Sequence, residues 1–117
     1  MEKLPKETLG ELISKLQKLA LLEDGWDSYN AQAPSKVAIN NAIVFLISNA
    51  QTNLPFFLAA PGVNGDVLVE IKKDNRSAEI YFNPDHTDEL FLYKNDECVK
   101  ESNLKDGFSL LFDFFDG

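Results

Sequence analysis

The sequence predicts an α+β domain in which two N-terminal helices precede an antiparallel β-meander and a third helix closes the chain. Apolar residues recur at helical spacing before residue 51, alternate at strand spacing from residue 56, and return to helical spacing after residue 103. Because the strands are grouped rather than alternating with helices, α+β is favoured over a parallel α/β sheet. The 117 residues are a usual size for one domain, so residues 1–117 are predicted to form it.

The first helix is predicted to run from about Pro5 to Leu22, where its apolar stripe ends. Gly25 is its predicted stop, since glycine adopts the left-handed conformation at no steric cost. The second helix is expected to begin after Ser35, whose hydroxyl can accept a backbone N–H bond. It should end before Pro55, because the residue preceding a proline is pushed out of helical geometry.

Four strands are predicted in the meander, with a fifth as an extension. The segments are "FFLAAP", "DVLVEIKK", "AEIYF", "ELFLYK" and "ECVK". One face of the sheet should be core and the other partly wet. The wet face of the second and third segments would carry Leu68, Glu70, Lys72, Glu79 and Tyr81.

The last segment is predicted to be a helix packed on the sheet. Ser102 or Asn103 would cap it, and Asp106 falls three residues after Asn103, in a variant of the capping box. Its apolar residues extend beyond a single stripe, which indicates burial on more than one side. A homodimer formed through this helix is the alternative to packing within one chain.

The charge of the chain restricts its partners. The net charge is -8. Six acids and five lysines in residues 1–62 sum to -1, and thirteen acids and six bases in residues 63–117 sum to -7. This balance argues against direct nucleic-acid binding and against docking on anionic membranes. An acidic second half suits a basic protein partner, and the alternative interpretation is that it serves solubility.

The residue types needed for several chemistries are missing from the sequence. Cys98 is the only cysteine, so no internal disulfide can form, and a reducing, cytoplasmic location is expected. Cys98 and His86, the only histidine, leave carboxylates as the other metal ligands, which is a poor zinc set. No phosphate-binding, dinucleotide-binding or nucleophile-elbow motif occurs. The sequence therefore predicts no catalytic, cofactor-binding or metal-binding residue, and an enzyme is disfavoured.

The connection between the first two helices, "EDGWDSYNA", carries the only tryptophan. We expect Trp26 to turn inward and pin the loop to the core, with Asp27 accepting from its indole N–H. Asp24 or Asp27 would accept backbone N–H bonds in the turn, and Tyr29 would pack beside the indole with its hydroxyl toward water. In the alternative interpretation Asp24, Trp26, Asp27 and Tyr29 are partner-binding anchors, since Trp and Tyr dominate binding hot spots.

The segment "LLEDGWDSYNAQAPSKVAINNAIVFL" resembles the "L-x-x-G-W-D-G-Y-x-A" segment and following helix of a widespread set of small bacterial proteins with no assigned activity. The "GWD-x-Y-x-A" core carries the likeness, and Ser28 replaces the usual glycine. The order of elements after Leu54 is also similar, with Glu70 as the central acid of an alternating strand. The resemblance implies this fold and a bacterial or phage origin.

Two classes of function follow from these observations. The first is a non-catalytic protein-binding module of the antitoxin, immunity or adaptor type that engages a basic protein. The second is a small carboxylate-based hydrolase or ligand-binding protein with a cleft near Trp26. A third hypothesis is an acidic nucleic-acid mimic that inhibits a DNA- or RNA-handling enzyme through residues 66–116.

Overall fold

Three helices and five strands follow one another in the predicted order in the computed structural model, which describes residues 9–52 and 54–116. The elements are α1 (Leu9–Leu19), α2 (Lys36–Ser48), β1 (Phe56–Pro61), β2 (Val67–Lys73), β3 (Arg76–Phe82), β4 (Asp88–Lys94), β5 (Glu97–Ser102) and α3 (Leu104–Asp116). The predicted start of the first helix at Pro5 lies outside the described residues. Within them, no helix has the length and apolar character needed to cross a membrane.

The first helix ends three residues earlier than its apolar pattern predicts. It stops at Leu19, and the next three backbone N–H groups bond three residues back, which tightens the chain into turns. Gly25 has the expected positive φ of 80°, but the prediction that it stops the helix is wrong. It lies in the following loop, where its N–H donates to the Ala31 carbonyl at 2.7 Å.

The predicted cap of the second helix is confirmed. The Ser35 hydroxyl accepts from the backbone N–H groups of Val37 and Ala38 at 3.1 and 3.4 Å. At the other end the Asn49 side-chain amide, which is buried, donates to the Phe45 carbonyl at 2.9 Å. After Lys36 the helix carries no charged side chain, and five of its residues are buried in the core.

The meander contains the fifth strand as well as the four predicted ones. The strands lie in the sheet in chain order, from β1 to β5, and every neighbouring pair is antiparallel. The two central pairings are regular throughout. The two outer pairings each contain an irregularity, between Phe56 and Leu58 in β1 and between Leu92 and Tyr93 in β4.

One face of the sheet and the helices enclose the core. Buried side chains of all three helices and alternate residues of the strands form one apolar cluster. Its strand members include Val67, Val69, Ile71, Ala78, Ile80, Phe82, Leu90 and Leu92. The described chain is therefore a two-layer structure, and we call the sheet face opposite the helices the outer face.

The third helix is capped from two directions. Asn103 Oδ1 accepts from the Asp106 N–H at 2.8 Å, which confirms Asn103 as the cap rather than Ser102. From β4, Asp88 Oδ1 accepts from the Leu104 N–H, also at 2.8 Å. The first turn of α3 is thus bonded both to its own cap and to the sheet.

The predicted packing of the third helix on the sheet is also confirmed. Leu111 and Phe115 are buried, whereas Phe108, which the apolar pattern places in the same stripe, is partly exposed. Gly107 allows the close approach, since a Cβ there would lie 2.8 Å from Leu90 Cδ2. At the far end the Arg76 guanidinium donates to the Phe114 carbonyl at 2.8 Å.

Candidate partner-binding surfaces

Asp24, Trp26, Asp27 and Tyr29, the four residues predicted from sequence, lie together in the loop between α1 and α2. Hydrogen bonds hold the carboxylates of both aspartates. Asp27 Oδ1 accepts from the Tyr29 and Ala31 N–H groups at 2.9 and 3.3 Å. Asp24 Oδ1 accepts from the Ala33 N–H at 2.8 Å. The expectation that Asp24 or Asp27 accepts backbone N–H bonds in this loop is confirmed, and both of them do.

The tryptophan of this loop is half-buried. Its indole N–H donates to the Gln32 carbonyl at 2.9 Å, so the expectation that Asp27 accepts this bond is wrong. Asp27 instead accepts backbone N–H bonds of the turn through its Oδ1. Trp26 therefore bonds the middle of the loop to its C-terminal part. It is neither in the apolar cluster nor among the side chains packed against that cluster, so the expectation that it pins the loop to the core is wrong.

The loop is also held by the connection between β1 and β2. The Gln32 N–H donates to the Val63 carbonyl at 2.8 Å, and the Ser35 N–H donates to the Gly65 carbonyl at 2.9 Å. Gln32 and Asn64 form an isolated parallel bridge. These bonds join the two connections into one unit at one end of the sheet.

Tyr29 is the most prominent exposed side chain among the four residues predicted from this loop. Its side chain is 81% exposed, so it does not pack closely beside the indole as expected. Leu21, near the start of the same loop, is 80% exposed. Of the four predicted residues, Asp24 and Tyr29 are exposed and Trp26 and Asp27 are partly buried, and Tyr29 offers the large exposed side chain to an incoming partner.

A second candidate surface is the outer face of the sheet. Strand register places its side chains in three rows that cross the strands. The central row is Leu58, Glu70, Glu79, Phe91 and Glu101. The flanking rows are Ala60, Leu68, Tyr81 and Glu89 on one side and Lys72, Ser77, Tyr93 and Cys98 on the other. None of these side chains belongs to the apolar cluster that the described helices cover.

Two glutamates face each other at the centre of the outer face. Glu70 of β2 and Glu79 of β3 are direct cross-strand partners. Burial raises the pKa of Glu70, the Glu79 charge raises it further, and Lys72 opposes both effects. Like charges directly opposite each other destabilise a sheet, so this pair costs folding free energy.

Two phenols hold one of these carboxylates. The Tyr81 hydroxyl donates to Glu79 Oε1 at 2.9 Å, and the Tyr93 hydroxyl approaches the same oxygen at 3.4 Å. Burial and the bond to Glu79 raise the pKa of Tyr81 to about 12, so its phenol remains a donor at neutral pH. Burial and the Glu79 charge also raise the pKa of Tyr93. Both bonds end on Oε1, so neither phenol occupies Glu79 Oε2.

Aromatic rings and charges are distributed unevenly over the outer face. The Tyr81 and Phe91 rings meet edge to face, with centroids 5.8 Å apart. The three rows contain four acids and one base, which is Lys72. The Lys72 ammonium lies 5.3 Å from the centroid of the Phe57 ring, near the β1 edge. The centre of the face is therefore acidic and aromatic together.

Sequence reasoning assigned Glu70, Glu79 and Tyr81 to the correct face but did not predict a site there. The side-chain types on this face could have indicated a binding surface, because a purely solvated strand face seldom carries several tyrosine, phenylalanine and leucine residues. The juxtaposition of Glu70 with Glu79 depends on the register across the "DNRS" turn, which alternation alone does not determine.

Metal-binding potential is low in the part of the chain that the structure describes. No group of three or more His, Cys, Asp or Glu side chains there is arranged to hold a metal ion. His86 is exposed in the connection between β3 and β4, with its Nδ1 3.3 Å from the Asn41 side-chain nitrogen. Cys98 is exposed on β5.

Comparisons of the chain with protein-family models, curated proteins and solved structures find no match. The resemblance to small bacterial proteins carrying the "GWD-x-Y-x-A" core therefore stays a prediction from the sequence.

Proposed function

We propose that the protein is a non-catalytic binding module, of the antitoxin, immunity or adaptor type, that holds a basic protein partner against the outer face of its sheet. The observation that carries this proposal is the combination of aromatic rings and an excess of acids on a sheet face outside the core of the described chain. Aromatic side chains supply most of the binding energy in protein interfaces, and charge complementarity selects the partner.

The outer face offers both parts of such an interface. Tyr81, Phe91 and Tyr93 form a partly buried aromatic group beside the Glu70–Glu79 pair. Glu89 and Glu101 lie farther along the flanking and central rows. Acids interleaved with aromatic residues in this way fit a partner whose own surface is apolar and positively charged.

The arrangement of the carboxylates favours binding over catalysis. Glu70 has a raised pKa, which an acid–base catalyst also needs, but it lies on the outer face of the sheet, outside the pockets lined by Arg76, by His86 and by Lys15. The phenols nearest to it are engaged by Glu79. A hydrolase of the kind considered from the sequence needs an enclosed pocket around such a group.

Site-specific photo-cross-linking in cells of the source organism tests the proposal. A photoreactive phenylalanine would replace Phe91 on the outer face, Tyr29 in the loop between α1 and α2, or Leu110 on the exposed side of α3. We expect position 91 to capture a protein of net positive charge and position 110 to capture none. When the cross-linking is repeated in a cell lysate, capture from position 91 should fall as salt is raised. Capture from position 29 alone would favour the loop as the binding surface, and capture of no basic protein from position 91 would contradict the proposal.

A further inference from the structure

Resting on the proposed function, we propose that the outer face docks an arginine-bearing segment of the partner, with one guanidinium placed between Glu70 and Glu79. The charge, the shape and the hydrogen-bonding capacity of the face each favour this side chain at this position.

The repulsion between Glu70 and Glu79 lowers the stability of the sheet, and a bound cation would relieve it. Glu70 and Glu79 are direct cross-strand partners, which places their side chains side by side. The nearest base, Lys72, lies one row away, beside the Phe57 ring near the β1 edge. A cation from a partner would convert the repulsion between the two glutamates into two attractions.

The shape of the surroundings favours a planar cation. Phe91 follows Glu79 in the central row, and Tyr81 and Tyr93 lie on either side of that row. A guanidinium stacks on aromatic rings and is more weakly hydrated than an ammonium, so it loses less on entering such a site. A lysine ammonium would remain more strongly hydrated and would not use the rings as well.

Hydrogen-bonding capacity points to the same side chain. The two phenols both address Glu79 Oε1, which leaves Oε2 to accept from an incoming group. Glu70 adds a second carboxylate across the strand boundary. A guanidinium has five N–H donors in a fixed fork, so it can donate to both carboxylates at once, which an ammonium does with poorer geometry.

Two matched peptides test this inference: a nine-residue oligoarginine and a nine-residue oligolysine, titrated into the isotopically labelled protein at low salt. We expect the arginine peptide to bind roughly fivefold more tightly. Backbone amide shifts should be centred on positions 70, 79 and 91 rather than on the loop of Trp26. The two peptides carry equal charge, so this difference isolates the guanidinium.

Three variants locate the contact. Glu70→Gln and Glu79→Gln should each weaken the arginine peptide roughly tenfold and reduce its advantage over the lysine peptide. Asp113→Asn removes the same charge from the exposed side of α3, and we expect it to change binding less than twofold. Thermal unfolding of each variant would verify that the fold is retained.

The outcomes separate this inference from the proposed function. If the two peptides bind equally tightly and the three variants have the same affinity for them, the arginine site is overturned. Only a diffuse preference for basic partners would then remain. Shifts centred away from the outer face would also overturn the arginine site. If position 91 cross-links a basic protein in cells while the peptides behave alike, the proposed function stands without the arginine contact.

Discussion

Glu70 shows how a single residue can lower the stability of the sheet that carries it. Its pKa is raised above the ordinary value of 4.5, so the folded state binds the Glu70 proton more tightly than the unfolded chain does. The contribution of this group to the free energy of unfolding therefore falls as pH rises from about 4.5 through the raised pKa. Above that range the charged glutamate is a net cost to folding.

Replacing Glu70 with Gln should consequently stabilise the protein at neutral pH. We expect the free energy of unfolding to rise by a few tenths to about 1 kcal/mol, the usual range for a cross-strand pair. The gain should disappear in acid, where Glu70 is protonated in both states. Denaturant titrations at several pH values measure this gain in the free energy of unfolding. Glu97→Gln is the control, since Glu97 faces Lys94 and its loss should bring no gain.

Trp26 is the second residue whose substitution separates structure from binding. Trp26→Ala should lower the free energy of unfolding by about 2 kcal/mol, because it removes half-buried apolar surface and the bond to the Gln32 carbonyl. Trp26→Phe keeps a ring but loses the N–H, so it should cost less. Unchanged chemical denaturation for Trp26→Ala, together with weaker partner binding, would instead identify the indole as a binding anchor.

At the scale of elements, the caps were predictable where all their parts are close in sequence. Ser35 and Asn103 lie immediately before their helices, and a capping side chain reaches only two or three residues ahead. Asp88, which also bonds the first turn of α3, lies 16 residues earlier and is brought there by β4. Such a contact depends on tertiary structure, so sequence spacing carries no sign of it.

The Asp88 contact leads to a prediction about α3. Asp88→Ala should destabilise the protein by about 1 kcal/mol and speed hydrogen exchange of the Leu104 amide, because that N–H loses its acceptor. Asp88→Asn keeps an acceptor oxygen and should retain much of the stability. Equal losses in the two variants would show that the charge near the helix N-terminus matters more than the hydrogen bond.

At the scale of the whole molecule, hydrophobic periodicity was enough to predict the layers and their order. Alternation placed Val67, Val69 and Ile71 on the buried face, and the structure shows them fully buried. The same pattern could not reveal which outer-face residues become neighbours, since register depends on the turns. The loop of Trp26 was recognised, but its bonds to the β1–β2 connection join distant parts of the chain.

The irregular pairings at both margins of the sheet have a consequence for behaviour in concentrated solution. A flat outermost strand with free backbone groups invites another molecule to add its own strand, which is a common start of aggregation. Here β1 ends in Pro61, which has no N–H to offer, and the pairing of β5 with β4 is distorted beside Leu92. Both margins are thus poor templates for polymerisation, although the broad surface between them is uncovered by the described helices.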